Sequence, residues 1–128
     1  MLRIAVAAFA ALALLGVSAA SASPEASASA SATKPKLVTV NDFYFGPSSV
    51  TIHKGGSVKW VWSSTNTYPH DVHLKSGPKR LEKRGTYSTK TTAVTDAEFK
   101  KAFPTPGNYH FICTIHPTEM KLTVVVKK

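Results

Sequence analysis

Residues 108 to 126 read NYHFICTIHPTEMKLTVVV, in which two runs rich in β-branched and aromatic residues flank a short loop. The runs at 108–113 and 120–126 are typical of β-strands. Close to or within the loop between them lie Cys113, the only cysteine of the chain, His116, and Met120, the only methionine besides Met1. The stretch therefore predicts two strands whose connection gathers a thiol, an imidazole and a thioether.

Strand signals also dominate the chain between residue 36 and this stretch. They lie at 36–40, 49–53, 57–62, 70–74 and 97–103. The Lys-Gly-Gly sequence at 54–56 predicts a hairpin turn, and the Pro-Thr-Pro-Gly sequence at 104–107 marks another turn. The polar stretch 75–96 is left without an assigned element. Seven to eight short strands in about 90 residues predict an all-β fold, a single two-sheet β-sandwich.

The N-terminal residues do not fit this strand pattern. Arg3 precedes an apolar run from Ile4 to Val17, and an A-x-A pattern follows at 20–22. A basic residue, an apolar run and small residues in this order predict a secretory signal peptide. An uncleaved membrane anchor is the competing interpretation, although the run is shorter than the roughly 20 residues that a membrane span needs.

The sequence therefore divides into three predicted parts. Residues 1–22 are the signal peptide, 23–35 a disordered leader rich in serine, alanine and proline, and 36–128 the folded domain. We expect an exported protein, periplasmic or extracellular, free or associated with the cell surface. No stable membrane insertion is expected once the signal is removed.

Export makes the single cysteine informative, because thiols outside the cytoplasm are usually paired as disulfides. Cys113 has no partner in its own chain, which leaves an intermolecular bridge, a reactive thiol or a metal ligand. Two histidines, one cysteine and a weak axial methionine form the ligand set of blue copper sites. Cys113, His116 and Met120 supply three of these four ligands.

The second histidine must come from elsewhere in the chain, and four candidates exist. His110 lies three residues before Cys113 in the same strand, so its side chain points to the opposite face of the sheet. His53 borders a tight turn where exposure is expected. His70 and His73 differ in strand parity, so the two are not expected to bind one ion together.

Three segments carry a resemblance to a known family. They are YPHDVHL at 68–74, PGNYHFICTIHPTEM at 106–120 and SVTIHKGGSVKWVW at 49–62. Together they resemble the cupredoxin, or blue copper, family, in particular its small plastocyanin-like and amicyanin-like members. The resemblance implies a Greek-key β-sandwich that binds one copper ion.

By this resemblance His70, Cys113 and His116 are the strong copper ligands and Met120 is the axial ligand. Met120 follows His116 by four positions, one more than in amicyanin-like members and one fewer than in plastocyanin-like members. Asp71 stands where many members carry asparagine. An ionised carboxylate only accepts hydrogen bonds, so Asp71 is expected to accept from the backbone N–H or hydroxyl of Thr114.

The function that follows is that of an exported mononuclear type 1 copper protein that shuttles single electrons between redox partners. The resemblance places the electron-passing ring edge on His116, with Ile115, Pro117, Tyr68 and Pro69 around it. Copper storage or delivery, and a redox-silent adhesion module, are the alternatives. An enzyme is not expected, because the enzymes of the family join several such domains and this chain has one.

The charge of the chain bears on its partners. The formal net charge is +9, and the densest basic run is KSGPKRLEKRG at 75–85. A positive surface attracts acidic partners or anionic membranes. We expect a monomer that meets an acidic redox protein and does not bind nucleic acid. The basic run is either a solvated loop or, if it lies beside the copper, the part that steers this partner.

Overall fold

The computed structural model describes residues 33–128, which form an all-β domain with one short 3₁₀ helix at Arg84–Tyr87. The strands are β1 (Lys36–Asn41), β2 (Tyr44–Gly46), β3 (Ser49–His53), β4 (Ser57–Trp62), β5 (His73–Ser76), β6 (Glu98–Ala102), β7 (Gly107–Ile112) and β8 (Lys121–Lys127). The predicted signal peptide and all but the last residues of the predicted leader lie outside the described residues. Within residues 33–128, no helix has the length and apolar character that a membrane span requires.

The strands form two four-stranded sheets, in the orders β2-β1-β4-β6 and β3-β8-β7-β5. Two of the pairings, β1 with β4 and β3 with β8, are parallel, and the others are antiparallel. Parallel neighbours cannot be joined by a tight turn, so the chain passes repeatedly between the two sheets. The predicted all-β sandwich of seven to eight strands is confirmed.

Alternating side chains build the core between the sheets. In β4, Val58, Trp60 and Trp62 are buried and face inward, as their spacing of two residues predicts. The ring of Trp60 lies between Phe99 and Phe111, with centroid separations of 5.3 and 5.0 Å. The contact with Phe99 lies within one sheet, and the contact with Phe111 joins the two sheets. Truncating an aromatic side chain in such a core costs about 3–5 kcal/mol of stability.

The turn at 54–56 differs from the hairpin that the sequence predicted. It does not close a hairpin, because β3 pairs with β8 in one sheet while β4 pairs with β1 and β6 in the other. Gly55 donates its N–H to Phe103 O at 2.8 Å, and Phe103 N–H donates to Gly56 O at 2.9 Å. A glycine turn looks alike in sequence whether it joins two strands of one sheet or crosses between sheets.

Two further differences from the prediction concern short elements. β2 was not predicted, because three residues between a turn and Pro47 carry too little pattern. It forms a hairpin with β1 through a two-residue loop, Asp42 and Phe43. β5 begins at His73 rather than at residue 70, and His70 instead forms an isolated bridge with Ala93.

The unassigned stretch 75–96 covers the edge of β5. Leu74 N–H donates to Ser88 Oγ at 2.9 Å, and Thr89 N–H donates to Val72 O at 2.8 Å. Tyr87 is buried against the core, stacked on Tyr109 at a centroid separation of 5.6 Å. The polar stretch therefore protects an edge whose backbone groups would otherwise be open to pairing with another chain.

Alanine substitutions at three glycines test how strongly the backbone conformation and the free space at each position affect stability. Gly107 has φ +143°, and a Cβ there would lie 2.6 Å from Pro78 Cγ; Gly55 has φ +85° and free space around it. Gly107→Ala should lower the free energy of unfolding by about 2–4 kcal/mol, because it combines a disfavoured φ with a clash. Gly55→Ala should lose about 1–2 kcal/mol, and Gly85→Ala, in open space, should change stability by less than about 0.5 kcal/mol. Urea unfolding measures all three, and equal losses for Gly107→Ala and Gly85→Ala would contradict the account.

Candidate metal centre

Cys113 and Met120 lie at the two ends of the loop between β7 and β8. Cys113 N–H donates to Met120 O at 3.2 Å, and Met120 N–H donates to His116 O at 3.0 Å, so backbone hydrogen bonds hold the loop closed. The pairing of β7 with β8 ends beside them, at Ile112 and Lys121. Cys113 and Met120 are both fully buried, and Cys113 continues the inward-facing series of Tyr109 and Phe111.

His70 reaches the same site from the loop between β4 and β5. Its backbone pairs with Ala93 through hydrogen bonds of 2.9 and 3.0 Å, and Trp62 Nε1–H donates to His70 O at 3.3 Å. The side chain is completely buried. Backbone contacts on both sides thus fix the direction in which the imidazole points.

The structure brings the ligand atoms of three predicted site residues together. Cys113 Sγ lies 3.9 Å from His70 Nδ1 and 3.9 Å from His116 Nδ1, and the three atoms lie within 4.8 Å of one another. Nitrogen and sulfur ligands bond to metals such as zinc at about 2.0–2.3 Å, so roughly trigonal ligands would be about 3.6–4.0 Å apart. The observed separations fit one such ion.

The orientation of the His70 ring is set by a carboxylate that the sequence analysis did not find. Asp42 Oδ1 lies 2.8 Å from His70 Nε2. An ionised carboxylate can only accept, so Nε2 carries the hydrogen of this contact, which leaves Nδ1, the ring nitrogen near Cys113, as the one available to a metal. Metal-binding histidines usually donate their second N–H to a carboxylate, a carbonyl or water in this way.

Asp42 also holds the loop that leads to His70. Its carboxylate accepts from Thr67 N–H at 2.9 Å, Thr67 Oγ1–H at 3.0 Å and Tyr68 N–H at 3.2 Å. The hydrogen bond with His70, supported by those from Thr67 and Tyr68, lowers the pKa of Asp42 to about 2 against the opposing effect of desolvation. The carboxylate is therefore ionised throughout the neutral range, as its role as a shared acceptor requires.

A second carboxylate braces the loop 113–120 as the sequence predicted. Thr114 N–H donates to Asp71 Oδ1 at 2.7 Å, and the Thr114 hydroxyl donates to Asp71 Oδ2. Asp71 directly follows His70, and Thr114 directly follows Cys113. The two chain segments that supply the imidazole and the thiol are therefore locked to each other next to the site.

His116 is half-buried and lies at the surface of the domain. The ring of Phe43 meets it edge-on at a centroid separation of 5.1 Å, and Tyr68 lies at 6.1 Å. Phe43, Tyr68 and Ile115 are 46%, 49% and 42% exposed. Tyr68 and Ile115 belong to the rim predicted from the sequence, whereas Phe43 comes from the loop between β1 and β2 and was missed.

The other histidines lie away from the centre. His110 is exposed and contacts Thr123 at 3.2 Å on the outer face of its sheet, as its parity predicts. His53 is exposed beside the turn at 54–56, and His73 is exposed at the start of β5. Among the described residues, the one group of three or more His, Cys, Asp or Glu side chains arranged to hold a metal is His70, Cys113 and His116.

Comparisons with known proteins agree with this donor set. A family model described as copper binding proteins, plastocyanin/azurin family, matches residues 33–127. Amicyanin-alpha of Methylorubrum extorquens is 38% identical over 93 residues, which cover 70% of this chain and 70% of that protein. The soft thiol with two imidazoles, and the buried methionine beside them, fits one copper ion.

Solved structures agree on the fold. Amicyanin of Paracoccus versutus has a TM-score of 0.57 and 24% identity, with 74% of this chain and 83% of that chain covered. A copper-containing nitrite reductase from Thermus scotoductus has a TM-score of 0.59 and 24% identity, with 73% of this chain covered. This chain spans only 22% of that reductase.

The role of Asp42 can be tested by measuring copper affinity in competition with a chelator. Asp42→Ala should bind copper about 10–100-fold more weakly, because the partner that fixes the His70 tautomer is lost. The copper affinity of Asp42→Asn should fall between those of the wild type and Asp42→Ala, since an amide offers one acceptor oxygen in place of two. Glu82→Ala is the matched control, because Glu82 is an exposed carboxylate outside the site. An Asp42→Ala protein that binds copper as tightly as this control would contradict the assignment.

Proposed function

This chain belongs to the plastocyanin/azurin family of copper-binding proteins, and from that premise we propose that it is a mononuclear type 1 copper protein that carries single electrons. The observation that supports the proposal most directly is the position of Cys113 Sγ, 3.9 Å from the Nδ1 atoms of two histidines. A thiolate between two imidazoles is the core of the blue copper ligand set.

In this proposal His70, Cys113 and His116 would hold the ion, and the thioether of Met120 would be the fourth and weakest ligand. Copper supplies one-electron chemistry by alternating between Cu(II) and Cu(I). The protein keeps the donor atoms in place between the two states. Asp42 fixes His70, the contacts between Asp71 and Thr114 join the two ligand segments, and backbone hydrogen bonds close the loop 113–120. A ligand set braced in this way needs little rearrangement when the electron arrives or leaves.

His116 is the route by which the electron passes to and from partners in this proposal. Its ring is reached from solvent through a small apolar rim of Phe43, Tyr68 and Ile115. Phe43 has φ 71°, a left-handed conformation that a bulky side chain adopts at a cost of about 1–3 kcal/mol. The strained backbone places an aromatic ring beside His116, which favours a role in contact with a partner. A rim of this size suits brief docking more than a stable complex.

The remaining parts of the proposal concern setting and partners. We propose that the protein is exported, acts as a monomer and exchanges electrons with another redox protein rather than converting a substrate. The partner meets the apolar rim, so its docking surface needs an apolar patch of its own.

The visible spectrum tests the ligand set. One equivalent of Cu(II) should produce an intense thiolate charge-transfer colour that is absent in Cys113→Ser. His70→Ala should lose the colour, because one of the strong nitrogen ligands is gone. His73→Ala and His53→Ala are matched controls that should keep it, since both side chains are exposed and outside the site. Colour lost in His73→Ala but kept in His70→Ala would refute the ligand assignment.

Kinetics separate an electron carrier from a copper delivery protein. A carrier should exchange electrons with its own reduced form rapidly and should release Cu(I) to a strong chelator slowly, because its ligands are fixed in one geometry. Nuclear magnetic resonance line broadening in mixed oxidation states gives the exchange rate, and absorbance of the chelator complex gives the release rate. Slow exchange together with release that is complete within the mixing time would favour delivery.

A further inference from the structure

The charged side chains of the described domain are separated along the direction of the strands. We call the end that holds Cys113 the metal end and the opposite end the basic end. β7 runs from the basic end at Gly107 to the metal end at Ile112, so the two ends are about 20 Å apart. The exposed cations of the basic end include Lys36, Lys54, Lys79, Arg80, Lys127 and Lys128.

Backbone contacts place three of these cations side by side. Lys54 N–H donates to Lys127 O at 2.7 Å, and His53 pairs with Lys127 at the last position of the β3–β8 ladder. Lys128 follows directly. Lys36 opens β1 opposite Val58, at the start of β4 and next to the turn at 54–56. Four lysines therefore project from one end of the two sheets.

The basic run at 75–85 extends the same surface. Pro78 packs on Gly107, whose ladder partner is Val126, so the Lys79 and Arg80 that follow Pro78 lie at the basic end. Lys79 and Arg80 therefore lie at the opposite end of the strands from the copper site, so these two cations are not expected to steer a partner beside the copper.

The acidic side chains of the described residues are mostly at the other end. Asp42 and Asp71 bond to His70 and Thr114, Glu119 lies in the loop 113–120, and Asp96 precedes Ala97, whose carbonyl accepts from Trp62. Glu82 is the exception, within the basic run. Lys90 and Lys121 offset only part of the negative charge at the metal end, so this end keeps a small net negative charge while the basic end is strongly cationic.

We propose that the basic end binds an anionic lipid surface and thereby holds the metal end away from the membrane. Each Lys or Arg close to such a surface contributes about 1 kcal/mol of attraction, so six of them suffice for reversible attachment. The carboxylates at the metal end are repelled by the same surface, which selects one orientation. The apolar rim around His116 then faces the aqueous phase and its redox partner.

The path of the chain agrees with a lipid occupant rather than an acidic protein. β1 starts at the basic end, so the residues that precede it join the domain at that end. These residues include the apolar run from Ile4 to Val17. A chain that retains this run is joined to it through the basic end of the domain and not through the metal end.

Binding to lipid vesicles tests the proposal with the full chain. The ratio of binding to vesicles with 30% anionic lipid over purely zwitterionic vesicles should fall about 100-fold or more when Lys54, Lys79, Arg80 and Lys127 are all changed to Gln. The matched control changes Lys75, Lys90, Lys100 and Lys121 to Gln, which removes the same charge from other parts of the domain. Its ratio should stay within about fivefold of the wild type. The N-terminal residues are the same in all three proteins, so their contribution cancels in the ratio.

Hydrogen exchange on bound vesicles gives the orientation, with or without copper. Protection beyond that of the free protein is expected at 79–82 and not at 114–119, because the amides of 54–56 already donate hydrogen bonds in the free domain. Equal weakening of both variants would mean that only net charge matters and would overturn the proposal. So would protection of 114–119, or binding to an acidic polypeptide without binding to anionic vesicles. These readouts need no colour or electron transfer, so the proposal can fail while the copper function stands.

Discussion

The carboxylate of Asp42 is the point at which the strand framework and the metal centre are joined. Its position is set by β1, whose Val40 pairs with Trp62 at the end of β4. From there it fixes the protonated nitrogen of His70 and the backbone of Thr67 and Tyr68. Leaving the N–H of the buried His70 ring without a hydrogen-bond partner would cost about 1–3 kcal/mol of folding stability. This cost favours the closed position of the His70 loop on Asp42.

Much of the fold and most of the metal centre could be predicted from local patterns in the sequence. Cys113 and His110 take opposite faces because strand parity is a local property, and Asp71 meets Thr114 because each adjoins a residue of the site. The contribution of Asp42 could not be predicted, because it depends on the parallel pairing of β1 with β4. The crossing of the chain between sheets at 54–56 was misassigned for the same reason: the pairing partner of β3 is β8, far away in the sequence.

The loop between β1 and β2 shows how one turn serves two surfaces. Asp42 points inward to His70, and Phe43 stands outward beside the exposed face of His116. Asn66 supports the arrangement by donating to Val40 O at 2.9 Å and to Val94 O at 3.1 Å, which ties the loop before His70 to its neighbours. A change in this loop would therefore alter the buried and the exposed sides of the centre together.

The position of β8 between β3 and β7 determines how early the second sheet can form during synthesis of the chain. The last strand of the chain is an interior strand of its sheet, and its pairing with β3 joins residues such as Ser49 and Thr123. Contacts between residues so far apart in sequence form slowly. While the chain is being synthesised, its second sheet stays incomplete until the C-terminal residues have emerged. In the export that we propose, this delay keeps the chain from folding before it crosses the membrane, so that His70, Cys113 and His116 come together only on the far side.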